Sequence, residues 1–195
     1  MRYTLFFVVF IFLFILASCN DKNKSVYAGC CGTEAMEDSI DRIIKEYNDQ
    51  GIKVDSLVKA RVYISNIFTP DSVYYENYIF PIFGVYVNKV VSAKYFSESG
   101  ETLFEHYDFQ PNDGSAAWRG KKFNGDFFYG SFDYEVVVEF FKGGGERKTY
   151  TGRACSYKCG ADGFPTENLP KCLFPSQNNG YSGFNPGRPI PNECF

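Results

Sequence analysis

Phe132-Asp133-Tyr134-Glu135-Val136-Val137-Val138-Glu139-Phe140 decides the fold class. Phe132, Tyr134, Val136, Val138 and Phe140 fall on one face, and Asp133, Glu135 and Glu139 on the other. That period of two marks a strand with one buried side. Gly143, Gly144 and Gly145 break the pattern, and residues 147–154 then read as the antiparallel hairpin partner. Upstream, Val62 and Ile64 alternate with Tyr63 and Ser65. Residues 85–96 are rich in β-branched and aromatic side chains, and 102–107 continue the signal. Strand following strand, with turn residues between, predicts a mainly β chain whose 52–155 region is an antiparallel β-sandwich.

Composition agrees. Of the 195 residues 45% are hydrophobic and 19% aromatic, which excludes intrinsic disorder. Lys and Arg number 20 against 23 Asp and Glu, a formal charge of −3, so no basic surplus exists for a phosphate backbone. Nucleic acid is not an expected partner.

Residues 33–51 read differently. Met36, Ile40, Ile43, Ile44 and Tyr47 recur at steps of 4, 3, 1 and 3, behind Thr33 as N-cap and before Gly51 as terminator. Glu34, Glu37 and Asp38 suit the positive end of a helix dipole. The spacing predicts one amphipathic helix laid over the sandwich, or docked on a partner.

The first 18 residues are an address. Met1-Arg2 precedes an uninterrupted apolar run over 5–16, too short for a bilayer span of roughly 20 residues. It ends in Leu16-Ala17-Ser18-Cys19, followed by the polar Asn20-Asp21-Lys22-Asn23-Lys24. This resembles a bacterial lipoprotein signal peptide with its lipobox. The resemblance implies cleavage before Cys19, a diacylglyceryl thioether on its sulfur and a palmitate-type acyl chain on the new N-terminus. Residues 19–32 would then form a lipidated tether to the membrane, placing the protein in the cell envelope, with the outer membrane the expected site.

With Cys19 lipidated, Cys30, Cys31, Cys155, Cys159, Cys172 and Cys194 remain. An even set in an exported chain predicts disulfides, and six thiols allow 15 pairings. Adjacent Cys30 and Cys31 rarely bond each other, so one or both must reach past residue 150. A zinc site is the rival use of these thiols, and the oxidising compartment weighs against it. No C-x-x-C-H occurs; no cofactor or metal is expected. The region 156–195 holds six of the nine prolines and shows no periodicity, so its order must come from its cysteines and from packing on the sandwich.

Four stretches are similar to the gliding-motility-associated C-terminal domain of Bacteroidetes surface proteins, the type B sorting domain of the type IX secretion system. Val62-Tyr63-Ile64-Ser65-Asn66-Ile67-Phe68-Thr69-Pro70-Asp71 resembles the first half of a strand running into N-A-F-T-P-N-G-D-G-x-N-D. Tyr95-Phe96-Ser97-Glu98-Ser99-Gly100-Glu101-Thr102-Leu103-Phe104-Glu105 resembles I-F-N-R-W-G-E-L-V-F-E. Ala117-Trp118-Arg119-Gly120 resembles G-W-D-G, and Gly130-Ser131-Phe132-Asp133-Tyr134-Glu135-Val136 resembles G-x-Y-x-Y-x-V. The likeness covers about residues 60–153 and implies an Ig-like sandwich of about seven strands. Departures are local: the acidic N-G-D-G-x-N-D loop is replaced by 71–77, N-R-W by Ser97-Glu98-Ser99, and a cysteine-rich tail follows the last strand.

Candidate sites follow. His106, the single histidine, would have to serve any serine or cysteine triad, but no G-x-S-x-G elbow accompanies it. Asp108, Asn112, Asp113 and Gly114 are rich in oxygen yet lack the alternating spacing of a calcium loop. Tyr74, Tyr75 and Tyr78 crowd a loop after Pro70, and Trp118 is the lone tryptophan; these four rings are the candidate binding residues, although the resemblance implies a structural core ring at a strand junction for Trp118. The expected function is non-catalytic, an envelope lipoprotein making protein or glycan contacts at the cell surface or within the secretion and gliding apparatus. The alternatives are a secreted cargo whose sandwich is a sorting signal, and a periplasmic hydrolase with an acidic site. Replacing Cys19 by Ala should remove the lipid and release the protein from the membrane fraction on detergent-free fractionation; a variant that still sediments with membranes contradicts the lipobox.

Overall fold

The computed structural model describes residues 26–47, 50–140, 146–162, 166–179 and 183–188. Cys19, Cys194 and the leader over 1–18 lie outside them. Eight strands form two sheets: β1 (Met36–Tyr47), β2 (Lys53–Ile64) and β4 (Ile82–Val85) in one, in the order β1-β2-β4. The second sheet runs β3-β8-β7-β5-β6, built from β3 (Ile67–Phe68), β5 (Lys89–Ser97), β6 (Thr102–Phe109), β7 (Gly130–Glu139) and β8 (Arg147–Ser156). One short helical turn, α1 (Tyr75–Tyr78), and two 3-10 turns, Thr166–Lys171 and Pro175–Gln177, complete the fold.

The period-two reading holds where it was strongest. Phe132, Tyr134, Val136, Val138 and Phe140 are all buried, and β7 pairs antiparallel with β8 from Gly130 opposite Ser156 to Glu139 opposite Arg147. On the outward face Arg153 grips Asp133 through two parallel bonds, 2.8 and 3.1 Å. The core lies between the sheets: Ala60, Val62, Ile64 and Ile82 from one meet Ala93, Tyr95, Phe132 and Val136 from the other. Each fully buried Val, Ile or Phe among them stabilises the fold by about 1.5–3 kcal/mol. A register shift between Val90 and Ser92 turns both Val90 and Ala93 inward despite their odd spacing.

The helix expected over 33–51 is not there; residues 36–47 are the edge strand β1, in register with β2 from Met36 opposite Ile64 to Tyr47 opposite Lys53. A step of four residues is common to both structures, being one helical turn and two strand periods, so Met36, Ile40 and Ile44 fit either. Exposure resolves it. Met36, Asp38 and Ile40 are half-buried while Glu37, Ser39, Asp41 and Ile43 are exposed, and Met36 and Ile40 pack on the core. Ile43, which completed the helical stripe, is 60% exposed opposite the 73% exposed Leu57. The open apolar edge of β2 recruits this segment, and tertiary pairing overrides helical propensity. Asp38 fastens it to the other sheet, accepting from Lys148 and from the Tyr150 hydroxyl, the latter at 2.8 Å.

Between β2 and β3 the chain changes sheets at Ser65-Asn66, and Asn66 is 1% exposed. Its Nδ2 donates to the carbonyls of Thr33 and Lys171, both at 2.9 Å, and its Oδ1 accepts from the Leu173 amide at 2.8 Å. Beside it run the disulfides Cys30–Cys155 and Cys31–Cys172, as expected for bonds joining the N-terminal segment to chain beyond residue 150. Cys159 is disulfide-bonded as well. Cys30, Cys31, Cys155 and Cys172, with Tyr27, Ile67, Tyr157 and Phe174, make a second small core at this end of the molecule.

Asn66→Leu keeps the volume and strands three main-chain groups, so it should destabilise by about 2–4 kcal/mol in denaturant unfolding, with Asn66→Asp recovering only part of that loss. The Asp38 carboxyl is pushed up by burial, but donation from Lys148 and Tyr150 outweighs this and holds it below the usual aspartate range. A lowered folded value stabilises above the unfolded value and is lost as pH falls through the folded one. Below about pH 5 the unfolding midpoint of the wild type should therefore fall more steeply than that of Asp38→Asn, the two curves converging at low pH.

Candidate functional site

Four segments enclose a cleft of about 220 Å³: α1, the β4 edge, the turn at 112–114, and the tail at 175–178 with Arg188. Tyr75, Glu76 and Ile79 form one wall, Pro81 and Phe83 the floor at β4, and Ser176 and Arg188 the opposite wall. The turn is fixed by Asn112, whose side chain pairs with the main chain of Gly84 in both directions, at 3.1 and 2.7 Å. It extends the β4 edge as a further strand would. Gly114 leaves room for Tyr75; a Cβ there would overlap the tyrosine hydroxyl.

The tail wall is held from within. Asn77 is 3% exposed, and its Oδ1 accepts from the Ser176 amide at 3.1 Å, locking α1 to the Pro175–Gln177 turn. Gln177, equally buried, accepts from the Phe174 amide at 2.9 Å and donates to the Arg188 carbonyl at 3.1 Å. Phe184 then leaves the cleft for the outer face of the first sheet, its amide donating to Glu37 at 2.8 Å and its ring meeting Tyr63 edge to face.

Ser176 lines this cleft, and its buried hydroxyl has no hydrogen-bond partner among the described residues. An unsatisfied buried hydroxyl costs about 1–3 kcal/mol, a cost that a bound polar group would remove. Around it stand one carboxylate, one guanidinium and the 53% exposed ring of Tyr75. Such a mixture suits a small ligand group with both an apolar face and hydroxyl or amide edges. Two larger grooves, of about 380 and 450 Å³, flank Glu37 on the outer face of the β1–β2 ribbon, and neither holds an exposed aromatic ring of the predicted set.

Of the predicted binding residues, Tyr74, Tyr75 and Tyr78 do cluster. Tyr74 is 39% exposed, Tyr75 meets Tyr78 at 5.0 Å edge to face, and Arg119 lies 5.7 Å over the Tyr78 ring. Trp118 does not belong with them. It is 2% exposed, packed on Phe68, Tyr95 and Phe132 at 5.0–5.4 Å, with Nε1 donating to the Lys121 carbonyl. It takes the structural position at a strand junction that the resemblance implied, and its alternative use as a binding ring is excluded by its burial.

His106 stands on exposed β6 between the rings of Phe104 and Phe109. Ser115 donates to Asp113 at 2.6 Å rather than to the imidazole. Asp108 pairs with Lys89, and Asn112 with Gly84, so the oxygen-rich loop spends its ligands on turn chemistry. Among the described residues no cluster of three metal-ligating side chains occurs. Sequence reasoning missed Glu76, Phe83, Ser176 and Arg188; only Cys172, pinning the tail just before Pro175, hinted that the tail would wall a site. Comparison with family models, with curated proteins and with solved structures returns no match.

Proposed function

We propose that this chain is a non-catalytic, lipid-anchored envelope protein whose Ig-like sandwich presents the Tyr75 cleft to a protein or glycan ligand, in the setting of the outer membrane and the type IX secretion and gliding apparatus. The carrying observation is the cleft itself, an exposed ring beside a buried hydroxyl that lacks a partner among the described residues, with Glu76 and Arg188 on its two walls. Three further features support the reading. The leader and Cys19 resemble a lipoprotein signal. The change of sheet at Ser65-Asn66 and the parallel pairing of β3 with β8 suit an Ig-like edge. The Tyr75 ring at the cleft meets Tyr78 edge to face at 5.0 Å, with the 39% exposed Tyr74 next to it in the chain, so aromatic surface is gathered where a ligand would dock.

The test is protease accessibility on intact cells, in a normal strain and one lacking type IX secretion, combined with binding of the purified mature protein to envelope fractions. Equal cleavage in both strains is expected. Tyr75→Ala should weaken envelope binding at least about tenfold, the size of a modest aromatic hot spot. Cleavage only in the normal strain would make the sandwich a sorting signal; protection in both would remove the surface role.

A further inference from the structure

The strongest unassigned surface lies at the end of the sandwich where the described chain begins. Lys122 accepts main-chain closure from Gly125 and donates to the Asp126 carbonyl at 2.8 Å, making a tight turn with Phe123 at its tip, 73% exposed. Phe127 closes that turn opposite Lys121 and is 41% exposed. From there a ladder of rings and ammonium groups runs on. Lys121 Nζ sits 5.2 Å over Phe127, Phe127 lies 6.0 Å from Tyr129, and Lys158 Nζ is 5.9 Å over Tyr129. The Lys158 amide donates to the Tyr27 hydroxyl at 3.4 Å, and Val26, 63% exposed, packs beside Gly130 and Phe128.

Exposed phenylalanines with tyrosines and lysines around them are the side chains that settle at a bilayer interface, rings at headgroup depth and ammonium groups reaching to water. The length of chain ahead of Val26 names the occupant. Cys19 is seven residues before Val26 (26 − 19 = 7), a reach of at most about 25 Å. We propose that this end of the molecule, through Phe123, Phe127 and Val26, rests in the headgroup region of the same leaflet that holds the lipid on Cys19. The inference depends on the lipid anchor proposed above. Lys122 is paired with Glu101, and Asp126 and Asp71 stand in the same region, accepting from Asn124 and from the Cys159 amide, so ring insertion carries the contact rather than net charge. Phosphatidylcholine alone is then sufficient, and added salt leaves the contact in place.

The experiment uses the full lipidated protein in phosphatidylcholine vesicles, with Phe123→Trp and Leu57→Trp variants read against the buried Trp118 of the wild type. Leu57 is 73% exposed and seven residues up β2 from Ile64, roughly 20 Å from this end. Lipids brominated on the acyl chains should quench and blue-shift the emission added at position 123, and leave that added at 57 unchanged. Vesicle flotation and intact mass report the anchor separately. A floated, lipidated protein whose Phe123→Trp emission is unquenched overturns the docking and leaves the anchor standing, as does equal quenching at both positions. Protection of position 123 from aqueous quencher without lipid quenching gives the surface to a protein instead, and overturns it too. An unlipidated protein that stays with the soluble fraction overturns both.

Discussion

Asn66 holds the junction of the two sheets together because its side-chain amide has no freedom left. Buried at the point where the chain passes from one sheet to the other, it satisfies Thr33, Lys171 and Leu173, while its own carbonyl accepts from Cys155 at 2.9 Å. The N-terminal segment and the tail thus share the side chain of one crossover residue, and the last strand its main chain. In a low-dielectric site such a network is stable when every member is satisfied and costly when one is not.

The disulfides act on the same junction, and their effects overlap. Cys30–Cys155 closes a separation of 125 residues and Cys31–Cys172 one of 141. Taken singly, each would be worth close to 5 kcal/mol in the chain-entropy model. With the first bond made, however, the second closes only the short path from 31 through 30 and 155 to 172, eighteen steps (1 + 17), nearer 3 kcal/mol. That second increment falls on the tail. Residues 156–172 have little core of their own, and the bond delivers Pro175, Ser176 and Gln177 to the face of α1 already ordered. The cleft therefore inherits its second wall from a cross-link placed at the other side of Asn66, and loss of Cys31–Cys172 would open the cleft while the sandwich between the sheets kept its packing.

The legible parts of the chain were those where one physical signal had no competitor. From Phe132 to Phe140 every second residue is apolar and the partner strand β8 follows as a hairpin, while the glycine break expected over 143–145 lies outside the described residues. The cysteine arithmetic likewise left Cys30 and Cys31 nowhere to go but past residue 150. Residues 36–47 were misread because Met36, Ile40 and Ile44 satisfy two periods at once, and the deciding fact, an open edge on β2, is tertiary. Ser176 and Arg188 carried no local signature at all. Their place depends on Asn77 and Gln177, polar residues whose burial comes from the pinned tail and not from any pattern around them.

A tethered protein is loaded where its tether enters, and here that point is reinforced. In the lipid-anchored reading, force from the membrane reaches the folded unit at Cys30 and Cys31, eleven and twelve residues after Cys19 (30 − 19 and 31 − 19). Cys30 passes it covalently to Cys155 in β8, which is paired on one side along its whole length with β7 and on the other with β3. An edge strand such as β1 would peel under the same load, one hydrogen-bonded pair at a time. Placing the cross-links ahead of Met36 takes β1 out of the load path, so a half-paired strand with an exposed Ile43 and few core contacts can still begin the sandwich.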